Sequence, residues 1–151
     1  MLASRPLFEM RLNVPEVADL GDTPSGRRRV ATVAGGRFEG ERLKGEVVAA
    51  PGGDWMLLRG DGALVLDVRL SLRTDDGELV YMAYRGLRHG PPEVMARLGA
   101  GESVDPKSYY FRITPVFETA SAKYGWLNRI VAVGVGRREA SGPIYEVYEV
   151  L

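Results

Sequence analysis

A chain of 151 residues with twenty basic and twenty acidic side chains carries no net field to steer it toward nucleic acid or an anionic membrane. It has no cysteine, which excludes disulfides and thiolate metal sites and fits a reducing cytoplasm. The length suits one domain, residues 1–151, that can bury ~68–70% of the surface its unfolded form exposes, and the opening MLASRPLFEMRLNV has the pattern of neither a signal peptide nor a membrane span.

Leu7–Val14 alternates, with Phe8, Met10, Leu12 and Val14 on one face and Glu9, Arg11 and Asn13 on the other, which predicts a half-buried strand. Pro15–Gly26, rich in Pro, Gly, Asp and Ser, reads as a loop. Arg27, Arg28 and Arg29 form the one basic cluster, either an anion contact or a solvated strand entrance. Arg29–Ala34 is a short apolar strand ending at Gly35-Gly36, and Phe38, Leu43 and Val47-Val48 punctuate two more. A turn at Pro51-Gly52-Gly53 delivers Asp54-Trp55, and Asp61-Gly62 is a second turn. Pro91–Leu98 is the single good helix candidate: prolines suit its first turn, Glu93 complements the dipole and Gly99 can end it. Ser108–Glu118, Trp126–Gly136 and Ile144–Val150 complete the strands, the second thinned by Gly134 and Gly136 as a barrel corner requires. Eight to ten short strands with one short helix and no βαβ rhythm predict an all-β chain, an antiparallel β-barrel.

The longest strand-like stretch, Gly62–Gly90, reads as a hairpin. A three-residue Asp75-Asp76-Gly77 loop, with Gly77 left-handed, pairs Thr74 with Glu78 and avoids setting Asp75 against Glu78. That register aligns Leu72 with Val80, Leu70 with Met82 and Val68 with Tyr84 on an apolar face. The opposite face carries Asp67 across from Arg85, with Arg69, Ser71 and Tyr81. If the apolar face fills the barrel, Asp67 and Arg85 form a surface pair worth ~0–1 kcal/mol. If the polar face lines the lumen, its arginines can bind a carboxylate bidentately or orient a phenol.

Other polar strand residues extend the candidates. Tyr110 and Arg112 share a strand face, while Trp55 follows Asp54, and Trp126 precedes Asn128 by two positions. His89 stands alone in a loop, so no multi-histidine metal site can form, although it could exchange a proton near neutral pH. The glycine pairs make no nucleotide-binding loop, and no serine has a nucleophile-elbow context.

The ordered set Gly26-Arg27-Arg28, Gly35-Gly36-x-Phe38-x-Gly40, Gly52-Gly53, Trp55, Asp61-Gly62, Leu66-Asp67, Thr74-Asp75-Asp76-Gly77, Tyr81, Gly86, Tyr110-Phe111-Arg112, Phe117-Glu118-Thr119 and Trp126-Leu127-Asn128 resembles the family known as domain of unknown function 3237. The resemblance covers nearly the whole chain. It implies a compact antiparallel β-barrel that assembles as a homo-oligomer, and it supplies no established activity, metal or cofactor. Asp67, Tyr81, Tyr110, Arg112, Trp126 and Asn128 match its pattern and carry chemistry.

Two functional expectations follow. In the first, the barrel binds a small anionic or aromatic molecule and acts without a cofactor, as a lyase or isomerase. Asp67 with Tyr81 or Tyr110 would then move a proton, Arg69, Arg85 and Arg112 would anchor the acid, and Trp55, Trp126 and Asn128 would complete the ligand contacts. In the second, the barrel is filled and serves as a structural or oligomerisation module. Neither expects a metal, nucleic acid or a membrane as partner.

Overall fold

A computed structural model describes residues 1–151 as one sheet of eleven strands. These are β1 (Ser4–Leu12), β2 (Glu16–Thr23), β3 (Gly26–Thr32), β4 (Gly36–Glu39), β5 (Lys44–Val47), β6 (Gly53–Leu58), β7 (Leu64–Thr74), β8 (Leu79–His89), β9 (Tyr110–Glu118), β10 (Val131–Glu139) and β11 (Gly142–Val150). One helix, α1 (Pro92–Gly99), joins β8 to β9. Every pairing is antiparallel, and eight strands close on themselves in the order β7-β5-β4-β1-β11-β10-β9-β8, with β8 returning to β7. The remaining strands, β6, β3 and β2, run outward from the first half of β7 as an extension of the wall. β7 can serve both because β5 pairs with its end, Leu72–Thr74, and β6 with its beginning, Leu64–Arg69. No helix is long and apolar enough to cross a membrane.

The β7–β8 hairpin adopts the register expected from its turn. Thr74 N–H donates to the Glu78 carbonyl at 2.9 Å, and Gly77, at φ +89°, takes the left-handed position that a side chain would strain. Val68 faces Tyr84, Leu70 faces Met82, Leu72 faces Val80 and Asp67 faces Arg85. The apolar row is the inner one: Leu66, Val68, Leu70, Leu72, Val80, Met82 and Tyr84 are all buried. Asp67, Arg69, Ser71, Tyr81 and Arg85 therefore stand on the outside of the wall.

Three local expectations need correction. Pro15–Gly26 is mostly strand β2, not a loop; as the outermost strand of the extension it needs only one partner, and a bulge between Asp19 and Gly21 leaves Leu20 unpaired. Trp126 to Arg129 form a 3-10 turn (Gly125–Arg129), and the strand begins at Val131. There Asn128 bonds both backbone groups of Thr119, accepting from its N–H at 2.8 Å and donating to its carbonyl at 3.0 Å, so a side chain replaces the ladder. In β1, Leu7 joins Phe8 in the core because a bulge between Pro6 and Phe8 turns it inward.

The lumen is unevenly filled. In one half Phe8 packs on Phe38 and Phe117, at ring separations of 5.4 and 6.0 Å. In the other, Tyr145 packs edge-on against Tyr84 and Phe111, each at 5.4 Å. Gly134 and Gly136 on β10 make room for β9: a Cβ at Gly134 would lie 2.5 Å from Ile113 Cγ1, and one at Gly136 would lie 2.8 Å from the Phe111 ring.

Candidate functional site

Beyond the Tyr145 ring the lumen opens into a cavity of about 420 Å³, within the range of pockets that take one small organic molecule. Its apolar walls come from the inner rows of the barrel, including Leu12, Leu66, Val68 and Phe111. Its mouth lies between the extension, which supplies Val17, Asp19, Arg29 and Ala31, and the end of α1, which supplies Leu98 and Gly99. Hydrophobic periodicity explains the walls; the polar groups stand where the same inward rows run on past the core. On β8 the row Val80, Met82, Tyr84 continues through Gly86 to Arg88, and on β10 the row Ala132, Gly134, Gly136 ends at Arg138. On β6 it holds Asp54 and Met56, and on β11 Tyr145 and Pro143.

Asp54, Tyr84, Arg88, Arg138 and Tyr145 thus border one space and sense one another electrostatically. Asp54 is only 8% exposed. It sits where the β6–β7 ladder lapses, between the pairs Asp54–Val68 and Leu57–Val65, and its Oδ1 accepts the orphaned N–H of Asp67 at 3.0 Å. Burial pushes its carboxyl up to about 6, against the opposing pull of the Asp67 N–H and of Arg88. Both phenols are buried and held above the ordinary tyrosine range by desolvation, so they are hydrogen-bond donors at neutral pH. Burial, and then repulsion by Arg138, lowers the Arg88 guanidinium from its usual value.

Tyr84 Oη, Arg88 Nε and Arg138 Nη1 are buried without a hydrogen-bond partner of good geometry, although the Tyr145 hydroxyl is near enough to influence Tyr84. Leaving such a group unpaired costs about 1–3 kcal/mol, more where it is charged. Two guanidinium groups share the end of this space with a single carboxylate. The mouth is quieter: Arg27 holds Asp19 at 2.7 Å and keeps its carboxyl below the ordinary range, while Arg29 stands 4.0 Å from the same carboxylate.

None of the site residues expected from the sequence lines this cavity. Asp67 and Arg85 are cross-strand neighbours on the outer face, and Arg69 is exposed beside them. Tyr110 and Arg112 do come together, the guanidinium 4.8 Å from the ring centre, and His89 also stacks on that tyrosine at 4.9 Å. Tyr81 and Asn128 share a shallow outer groove with Glu118 and Thr119. Trp55 lies exposed on β6, and Trp126 lies beneath the Arg42 guanidinium at 4.3 Å, so the tryptophans are not a stacking pair. Of the basic cluster, Arg28 donates to the Trp55 carbonyl at 3.1 Å, and only Arg29 reaches the cavity. The lumenal groups missed by sequence reading are Asp54, Tyr84, Arg88, Arg138 and Tyr145. Their signal was a polar residue on an otherwise apolar inward row.

Fold and site together define a closed antiparallel β-barrel whose lumen is packed at one end and holds a polar-ended cavity at the other. The chain belongs to the family described as "Protein of unknown function (DUF3237)", whose model matches residues 2–150, as its motifs implied. It is 35% identical over 150 residues to an uncharacterised protein of Rhodopseudomonas palustris, covering 99% of this chain and 97% of that one. A relative from Clostridium acetobutylicum is 34% identical, with 95% and 91% covered. Among solved structures, a β-barrel-like protein of Acinetobacter baumannii matches at 40% identity and a TM-score of 0.87, covering 100% of this chain and 97% of that one. The crystal structure of the R. palustris protein matches at a TM-score of 0.96, with 100% and 99% covered. An enzyme from Penicillium herquei shares the fold, at a TM-score of 0.75 and 19% identity over 99% of this chain and 95% of that one.

Proposed function

We propose that the protein binds one small organic molecule in the lumenal cavity, through a carboxylate, enol or phenol oxygen placed among Asp54, Tyr84, Arg88 and Arg138, and moves a proton on it without a cofactor. The observation that carries this reading is the set of buried donors on Tyr84, Arg88 and Arg138 without a hydrogen-bond partner of good geometry, beside a single carboxylate. An oxyanion at that point would satisfy these donors and offset the repulsion between the arginines. Asp54 fits the role of base: it is fixed by the Asp67 N–H, it makes no other protein hydrogen bond, and its carboxyl lies near 6. The tyrosines and arginines fit the stabilisation of the charge that develops as the proton leaves. An isomerase or lyase needs those parts and no more.

Calorimetric titration of small phenols and aromatic acids tests it. Saturable binding of such a probe to the wild-type protein, at least tenfold weaker in Arg88→Met and Arg138→Met, is the expected result. A cavity that takes no member of such a panel would remove the proposal.

A homo-oligomer is a second, compatible reading. It is supported by the exposed outer row Val131, Val133 and Val135 on β10 beside Val116 on β9. Light scattering on the wild-type protein and on Val133→Glu tests it, since a dimer built on this face would dissociate in the variant and a monomeric wild type would end the idea.

A further inference from the structure

We infer that the substrate has two parts, an acidic oxygen on an apolar body inside the cavity and a compact terminal anion, such as a carboxylate, that remains outside on Arg29 and His89. The inference rests on the lumen being the ligand site, and it concerns what lies at the mouth. A groove of about 650 Å³ runs along the outside between the β6–β7 turn and α1, next to the cavity. Arg29, Leu64, Arg88 and Gly99 line both spaces, so only these residues stand between a molecule in the lumen and the groove.

The groove is basic, and its basic groups are not used up. Its one acidic residue, Asp61, is engaged by Arg59 at 2.5 Å and by the Ala63 N–H at 3.1 Å, which neutralises both members of that pair. Arg29 has only Asp19 near it, at 4.0 Å, and Asp19 is already held by Arg27 at 2.7 Å. Arg88 has no carboxylate in ion-pair contact, and its Nε has no partner at all. His89 makes no ion pair, and stacking on Tyr110 at 4.9 Å with the rings 22° apart fixes the plane in which its N–H points. The remaining lining, Met95 and Ala96 of α1 with Leu58 of β6, suits a short aliphatic connector. An anion between Arg29 and His89 would gain charge-assisted hydrogen bonds while its body stays in the lumen.

The test uses two molecules that differ only at the far end, 4-butylphenol and 4-(4-hydroxyphenyl)butanoate, titrated calorimetrically into the wild-type protein and into Arg29→Gln, His89→Gln and Arg138→Met. The expected result is that wild type binds the carboxylate about tenfold or more tightly than the alkylphenol, the worth of one or two charge-assisted contacts. Arg29→Gln and His89→Gln should erase most of that advantage and leave 4-butylphenol affinity unchanged, which also reports that these variants are folded. Equal affinities in wild type would overturn the inference while leaving the cavity reading in place. So would an advantage lost in Arg138→Met but kept in Arg29→Gln, because the carboxylate would then be bound inside. If neither molecule binds, this inference falls, and the cavity reading falls with it when the wider panel of phenols and aromatic acids fails too.

Discussion

Asp54 Oδ1 accepts the backbone N–H of Asp67 across the break in the β6–β7 ladder at 3.0 Å, and this bond holds the one carboxylate of the lumen in place. The fold thereby keeps a buried acid whose folded-state value, about 6, lies above the 3.8 of a free aspartate. Between those values the native state binds more protons than the unfolded chain, so Asp54 makes stability fall as pH rises from about 4 to about 6, and the loss is complete above that. A shift of this size amounts to at most about 3 kcal/mol. Asp54→Asn keeps an acceptor for the Asp67 N–H and cannot ionise. Urea denaturation should find it roughly 1–3 kcal/mol more stable than wild type at pH 8 and nearly equal at pH 4. Asp54→Ala should instead be destabilised at both pH values, because it orphans a buried N–H. An Asn variant less stable at pH 8 would contradict the assignment.

Arg88 and Arg138 place unpaired guanidinium nitrogens in the same interior. Methionine matches their apolar reach and removes the buried charge. The single variants should therefore be more stable than wild type by about 1–4 kcal/mol, raising the melting temperature by roughly 2–4 °C per kcal/mol in a chain of this size. The same substitutions should weaken ligand binding about tenfold or more, the trade expected where polar groups are retained for function. Thermal unfolding monitored by circular dichroism, without ligand, reads the first effect. A lower melting temperature in both variants would mean that the arginines support the fold.

The outer face of the hairpin gives a contrasting expectation. Asp67→Asn and Arg85→Gln leave the backbone N–H of residue 67 in place and remove charges from cross-strand neighbours outside the wall that make no ion pair, the first also relieving a minor repulsion on Asp54. Each should change stability by less than about 1 kcal/mol and leave cavity affinity within about twofold. Calorimetry of these variants beside Arg88→Met separates the two faces directly. A tenfold loss in Asp67→Asn would return function to the outer row.

Much of the fold could be read from local rules. The Asp75-Asp76-Gly77 loop alone set the β7–β8 register, because only one choice kept like charges apart and left a continuous apolar face. Which face pointed inward stayed open in the sequence, because Asp67 and Arg69 gave the other face a chemistry of its own; the structure buries Leu70 and Met82. The site was legible in principle by carrying each inward row to its end, where Arg88 follows Tyr84 and Gly86, and Arg138 follows Gly136. What no single strand reveals is that these ends converge, since that depends on barrel closure bringing β6, β8, β10 and β11 around one space. β2 was missed because an edge strand needs neither an apolar face nor freedom from glycine. The turn at Trp126 was missed because it is tied to the chain after β9 by a side chain, Asn128 on Thr119, and not by a ladder that alternation could signal.

Gly134 is a point where the packed barrel wall resists added volume. Its backbone is extended and paired with Ile113, so alanine meets no conformational penalty of the left-handed kind. The cost is spatial: the new Cβ would stand 2.5 Å from Ile113 Cγ1 and 2.9 Å from its Cδ1, inside a closed barrel that cannot spread. Gly134→Ala should therefore lose about 1–3 kcal/mol. Ile113→Ala, which leaves a void, should lose about 2–5 kcal/mol. The double variant places the added methyl in that void, so its loss should fall short of the sum by about 1–2 kcal/mol, a coupling that equilibrium unfolding of all four proteins measures. Strict additivity would mean that β9 yields to the new atom, and that the glycine row on β10 serves something other than the close approach of Ile113.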